Sequence, residues 1–188
     1  VSNETWGYQP RKNRPAPDWD VNPQTDAVRA GLARSGFGET SEALYLNSGF
    51  TYSTAQEALD SFTDETDHFL YSRFHNPTVQ MFEKRLAAIE GAEYCVATGS
   101  GMSAMFASVA CLVSAGDHIV ASAAMFSSCH VVLTEILPKW GVTIELVKGN
   151  DPTVWAAALA KPTKVVFIES PSNPLMEIVD IRFVSDLA

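Results

Sequence analysis

Apolar positions are unevenly spread along the chain, and their spacing predicts where a core lies. Residues 1–24 are polar and punctuated by Pro10, Pro15 and Pro17, which reads as a loose lead-in. TDAVRAGLAR, from Thr25, reads as a short helix. Residues 36–62 mix turn residues with short apolar pieces and read as an irregular arm lying on another surface. Tyr45, Phe50, Tyr52 and Phe62 need such a surface to bury them, and a neighbouring subunit is one candidate.

From Asn76 the periodicity sharpens. NPTVQMFEKRLAAIEG places Asn76 as an N-cap, Pro77 at the first helical position and Gly91 after the end. Val79, Phe82, Leu86 and Ile89 follow helical spacing and are the expected core stripe. Next come a strand, EYCVAT, a turn of small residues, Thr98-Gly99-Ser100-Gly101, and a helix to about Val113. HIVAS, VTIELV and KVVFIES read as further strands. FSSCHVVLTEILPKW, DPTVWAAALA and DIRFVSDLA read as helices. The order β-α-β-α-β-α-β, with short Val- and Ile-rich strands, predicts an α/β fold: a mostly parallel sheet with helices on both faces. Ligands of such folds bind beyond the carboxyl ends of the strands. Gly99–Met102 and Ser170–Asn173 both sit at such ends and are expected to converge.

Composition narrows the chemistry. The chain has 188 residues and a formal net charge of −9, which argues against general nucleic-acid binding, because that needs clustered Lys and Arg. No apolar run reaches the roughly 18 residues of a membrane span, and the lead-in has no apolar signal-peptide core, so a cytoplasmic protein is expected. Cys95, Cys111 and Cys129 are odd in number and set among apolar residues, which predicts buried, reduced thiols. His68, His75, His118 and His130 lack metal-ligand spacing, so no metal site is expected.

The small-residue turn is where the chemistry concentrates. A strand, a glycine turn and a helix leave backbone N–H groups free at a helix N-terminus, which suits phosphate; otherwise the turn is merely tight. Gly99, Gly101 and Ala104 satisfy G-x-G-x-x-A, the dinucleotide fingerprint. That reading also wants an acidic residue at the end of the next strand, which here ends in Ser122-Ala123-Ala124. A non-catalytic nucleotide-binding module stays open on this motif alone.

Three linked motifs carry a more specific resemblance. YSRFHNPT (71–78), GSGMSA (99–104) and ESPSNP (169–174) occur in this order. Together they resemble the signatures of the pyridoxal-phosphate enzymes of Cys/Met metabolism, from about Thr25 to the end. Within that family, SGFGETSEALYLNSGF most resembles the O-succinylhomoserine sulfhydrylases. The resemblance implies the large domain of fold type I, aspartate-aminotransferase-like. Here it would be incomplete, with residues 1–62 an N-terminal arm and 63–188 the first part of the cofactor-binding domain. It implies pyridoxal 5'-phosphate as cofactor. The implied activity is γ-replacement on an activated homoserine, O-succinylhomoserine with sulfide. O-acetylhomoserine sulfhydrylase, cystathionine γ-synthase and methionine γ-lyase activities are the alternatives.

Residue by residue, the resemblance implies that Ser100, Gly101 and Met102 hold the cofactor phosphate. Tyr71 and Arg73 reach the same phosphate in a neighbouring subunit's site, so a dimer or tetramer is implied. Asn173 meets the cofactor's phenolic oxygen. Phe126 takes the ring-stacking place usually held by Tyr, and Ser127 replaces the usual Gly; Phe can stack but cannot move a proton. The family's cofactor-bearing Lys follows a Ser-x-Thr-Lys motif, and Lys12, Lys84, Lys139, Lys148, Lys161 and Lys164 match no such context. The resemblance therefore implies that these residues hold the phosphate half of the site, within a longer enzyme, and are inactive alone.

Overall fold

The computed structural model describes residues 22–63 and 65–188; the lead-in expected over 1–24 lies outside them up to residue 21. The described residues form two compact units divided between Ala97 and Thr98, so the expected boundary at 62/63 falls inside the first.

The first unit contains α1 (Pro23–Arg29), α2 (Ala55–Phe62) and α3 (Pro77–Glu90). Helix α2 lies in the segment expected to be irregular. Its cause is local: the Thr54 hydroxyl accepts from the Glu57 N–H at 3.0 Å, and the Glu57 carboxylate accepts from the Ser53 N–H. Thr-x-x-Glu is capping-box spacing, and Ala55, Ala58, Leu59 and Phe62 follow at helical spacing. Helix α3 has the expected ends, with the Thr78 N–H donating to Asn76 Oδ1 at 2.9 Å and Gly91 left-handed at φ 64°.

Its buried face is not the expected stripe. Met81 and Ala87 are buried, while Val79, Phe82 and Ile89 are exposed. Helix α3 packs on α1. At Gly31, just beyond α1, a Cβ would come 2.7 Å from Lys84 Cβ, and φ is +70°; glycine alone permits that approach. The helix has the expected period, but its packed side is set by the approach of Gly31 near Lys84 and Arg85.

EYCVAT is likewise corrected. No strand forms over 93–98, and Tyr94 and Val96 are each 80% exposed. The Ala97 N–H donates instead to Glu83 Oε1 at 2.8 Å. A strand exists only where a neighbour takes its backbone N–H and C=O groups, and no described segment pairs with this one.

The second unit is built on a three-stranded parallel sheet in the order β2-β1-β3, where β1 is His118–Ser122, β2 Thr143–Val147 and β3 Val165–Phe167. Alternate residues of the central strand serve opposite faces. Ile119 and Ala121 pack with Val109 of α4 (Gly101–Ala110), Cys129 of α5 (Ser127–Val131) and Leu133 and Leu137. Val120 and Val147 pack with Trp155 and Ala158 of α6 (Pro152–Leu159) and Val184 of α7 (Ile181–Leu187). The expected α/β sheet with helices on both faces is therefore present. FSSCHVVLTEILPKW is helical from Ser127 on but changes pitch, from α5 through a π turn at Val132–Ile136 to a 3₁₀ turn at Leu137–Trp140.

Connections fix the functional end. After β1 the chain turns to the α4/α5 face; after β3 it turns to the α6/α7 face. Adjacent strands whose connections part to opposite faces open a crevice at their carboxyl ends. The cysteines are all free, but only Cys129 is buried; Cys111 is exposed because it caps α4 beyond its packed face.

Candidate functional site

Helix α4 starts at the small-residue turn. Ser100 is its N-cap in extended backbone, and its Oγ accepts from the Ser103 N–H at 3.1 Å and lies 2.9 Å from Ser103 Oγ. That leaves the Gly101 and Met102 N–H groups with no intrachain acceptor among the described residues. A Cβ on Gly99 or Gly101 would meet nothing within 4 Å, so the backbone borders open space there. Two aligned donors, the helix dipole and an absence of side-chain bulk suit a phosphate. Met102 anchors this end by packing on the cluster that contains Met125 and Cys129.

Phe126 and Asn173 lie on the loops after β1 and β3. Both are exposed, Phe126 at 38%. One carboxylate links them: Glu169 Oε2 accepts from the Phe126 N–H at 2.7 Å, and Oε1 accepts from the Asn173 N–H at 2.6 Å. The loop beyond is braced by two serines. Ser170 Oγ bonds both the N–H and the C=O of Val179, and buried Ser172 takes the Glu177 N–H at 3.1 Å. Cys129 is buried in the core beneath, and burial pushes its thiol above the ordinary range, with the Glu169 charge adding to the effect.

Tyr71 and Arg73 belong to the first unit. Tyr71 pairs with Gly49 in an antiparallel bridge, and the Arg73 guanidinium lies 5.6 Å from the Tyr71 ring centroid and 4.9 Å from that of Phe74. No carboxylate pairs with Arg73 among the described residues. Asn76 holds this segment in place. Buried beside it, its Nδ2 donates to Tyr45 O at 3.0 Å and to Ser72 Oγ at 2.9 Å, while Ser72 Oγ donates to Asn47 O. Thr78 Oγ1 adds a bond from the Tyr45 N–H at 2.9 Å. The NPT of the motif thus ties residues 45–49 to Tyr71-Ser72-Arg73.

Of the expected residues, the structure joins Phe126 to Asn173 through Glu169, groups Ser100, Gly101 and Met102 at one helix mouth, and sets Arg73 against Tyr71. No hydrogen bond joins the glycine turn to Asn173 among the described residues; they share the unit. Glu169 and the bracing role of Asn76 were missed. The available signal for Glu169 was a carboxylate ending the apolar run KVVFIE, at the ligand end of a parallel strand.

Comparison with known proteins follows the same lines. Residues 24–188 match the family of Cys/Met metabolism PLP-dependent enzymes. The chain is 52% identical over 168 residues to an O-succinylhomoserine sulfhydrylase of Mycobacterium tuberculosis, covering 89% of this chain and 41% of that protein. An O-succinylhomoserine sulfhydrylase of Pseudomonas aeruginosa is 44% identical over 164 residues, covering 87% and 41%. A solved Campylobacter jejuni structure, described as an O-acetylhomoserine (thiol)-lyase with N'-pyridoxyl-lysine-5'-monophosphate, superposes with a TM-score of 0.82 at 26% identity, over 90% of this chain and 42% of that one. The chain spans about two fifths of the length of these relatives.

Proposed function

Because the chain belongs to the family of Cys/Met metabolism PLP-dependent enzymes, we propose that it forms the phosphate-holding part of an O-succinylhomoserine sulfhydrylase. Such an enzyme converts O-succinylhomoserine and sulfide to homocysteine and succinate, here in the cytoplasm. The observation that carries this reading is the mouth of α4: two unclaimed backbone donors beside open space, with Met102 packed on the cluster that holds Met125, just past β1. Pyridoxal phosphate, when bound, supplies an electron sink that acidifies the substrate's carbon-bound protons.

The chain's own residues bind and orient. Gly101 and Met102 donate backbone N–H groups to the phosphate, and the Ser100 hydroxyl lies beside them. Arg73, unpaired among the described residues, brings permanent charge to a neighbouring subunit's phosphate together with the Tyr71 hydroxyl, so the working form is at least a dimer. The Asn173 side chain donates to the ring's phenolic oxygen. Phe126 covers the ring face and excludes water without exchanging a proton. That suits replacement at the γ-carbon better than elimination aided by a phenol.

A substrate panel tests this on the protein expressed from its complete gene. O-succinylhomoserine with sulfide should give the highest kcat/KM. O-acetylhomoserine, cysteine in place of sulfide, and methionine alone should each fall well below it. Preference for any of these three would replace the proposal with the corresponding sister activity.

A further inference from the structure

We infer that Glu169 is a positioning residue whose carboxylate holds Phe126 and Asn173 in register across the crevice. The inference rests on the site proposed above, and it concerns a residue whose carboxylate bonds the backbone of the two loops. Each carboxylate oxygen accepts one backbone N–H, Oε2 from Phe126 at 2.7 Å and Oε1 from Asn173 at 2.6 Å. These are short, charge-assisted bonds. No Lys, Arg or His forms an ion pair with Glu169 among the described residues, so its hydrogen bonds there go to the two loops.

The Phe126 carbonyl accepts the His130 N–H at 3.0 Å, and the Phe126 N–H has no acceptor other than Glu169 among the described residues. Phe126 occupies the N-cap of α5, and its side chain has no oxygen with which to cap the helix. Its ring is partly exposed, so packing alone does not fix it. Asn173 is also exposed, and the serine braces act on Ser170, Ser172, Glu177 and Val179 rather than on it. The two loops leave adjacent strands toward opposite faces of the sheet, and Glu169 Oε1 and Oε2 are the hydrogen-bond link between them. The side chain's length matters. An aspartate, shorter by one methylene, cannot span both amides from the same backbone position. A glutamine keeps one acceptor but turns an NH2 toward the other N–H.

The test uses the protein expressed from its complete gene, as wild type, E169Q and E169A. Hydrogen exchange resolved to single amides is read without cofactor. Phe126 and Asn173 should be protected in wild type, one of them released in E169Q and both in E169A. Pyridoxal phosphate titration, followed by the visible circular-dichroism band of the bound cofactor, should show a dissociation constant raised about tenfold in E169Q and a weakened band, with far-ultraviolet dichroism unchanged. Unchanged protection at both amides in a folded variant overturns the clamp. Released amides with an unchanged band and affinity overturn its positioning role. If E169A does not fold, E169Q alone decides. If the wild type binds no pyridoxal phosphate, the functional reading fails separately, and the clamp stands or falls on exchange alone.

Discussion

Trp155, Ile119, Leu133 and Leu137 are closed from water in the second unit, whereas the buried apolar side chains described in the first are Met81 and Ala87. The first unit is instead threaded by side-chain-to-backbone bonds. Asn76, Ser72 and Thr78 hold residues 43–49; Arg85 pairs with Glu42 and donates to Ala30 O at 3.0 Å. Phe37, Leu46, Phe62 and Phe82 lie exposed around them. Two kinds of site follow. In the second unit, the candidate site's backbone groups sit against a sealed core. In the first, Tyr71 and Arg73 sit where a few polar side chains tie them.

The largest effect that would break this contrast is in the core. Leu133→Ala, at a fully buried position, should cost about 2–5 kcal/mol. Phe82→Ala, on the open face of α3, should stay within about 0.5 kcal/mol. Denaturant titration of the two variants measures both. A comparable loss from Phe82→Ala would mean that this face is covered in the working protein and that the first unit also depends on burial.

A smaller effect sharpens the contrast from the other side. Asn76→Ala removes the α3 cap and both donated bonds, and should cost about 1–3 kcal/mol. Asn76→Asp keeps the acceptor for the Thr78 N–H but cannot donate, so it separates the cap from the brace. Amide exchange at Ser72, whose N–H bonds Ser48 O at 2.9 Å, should rise in both variants. Rise in Asn76→Ala alone would assign the whole effect to the helix cap and leave Tyr71 and Arg73 without the proposed tie.

Legibility in the sequence follows the same division. Strands β1 to β3 and helices α4 to α7 were readable because each buries its apolar face within the second unit, so local pattern and packing agree. The glycine turn was readable because a helix mouth needs little beyond its own backbone. The failures concern partners. EYCVAT has strand composition but no described neighbour to complete it, and the Val79–Phe82–Ile89 stripe has helical period but an unpacked side. Helix α2 carries both a cap at Thr54 and apolar residues at Ala55, Ala58, Leu59 and Phe62, but it is only eight residues long and sits among turn residues that mask the pattern. Glu169 hid because its role lies in a contact between loops 43 residues apart, which no linear spacing encodes.

Acid gives the smallest effect and the most direct comparison. In the first unit, Glu39 is held below the ordinary carboxylate value by the Ser35 N–H and hydroxyl. Glu57 is held down by the Ser53 N–H, and Glu42 by its own backbone N–H and then by Arg85. In the second, Lys161 lowers Glu145, and the Thr153 hydroxyl lowers Asp151. A carboxylate depressed in the folded state contributes stability that is fully present above its ordinary value, 4.5 for Glu, and is lost as pH falls through the depressed one. Asp151 is exposed and the four glutamates are half-buried at the surface, so each contribution is small and screened by salt. Their consequences differ because of what they hold. Glu39 and Glu57 fasten loop backbone that no core secures, whereas Glu145 decorates the rim of a sheet sealed on both faces. On lowering the pH from neutrality to about 3, the Ser35 and Ser53 amides should lose protection, after correction for intrinsic exchange, while Val120 and Ala121 keep theirs. Glu57→Gln should remove the pH dependence at Ser53 and leave Ser35 unchanged. Simultaneous opening of Ser53 and Val120 would mean that the two units unfold as one, and that hydrogen bonds and burial are parts of a single cooperative structure.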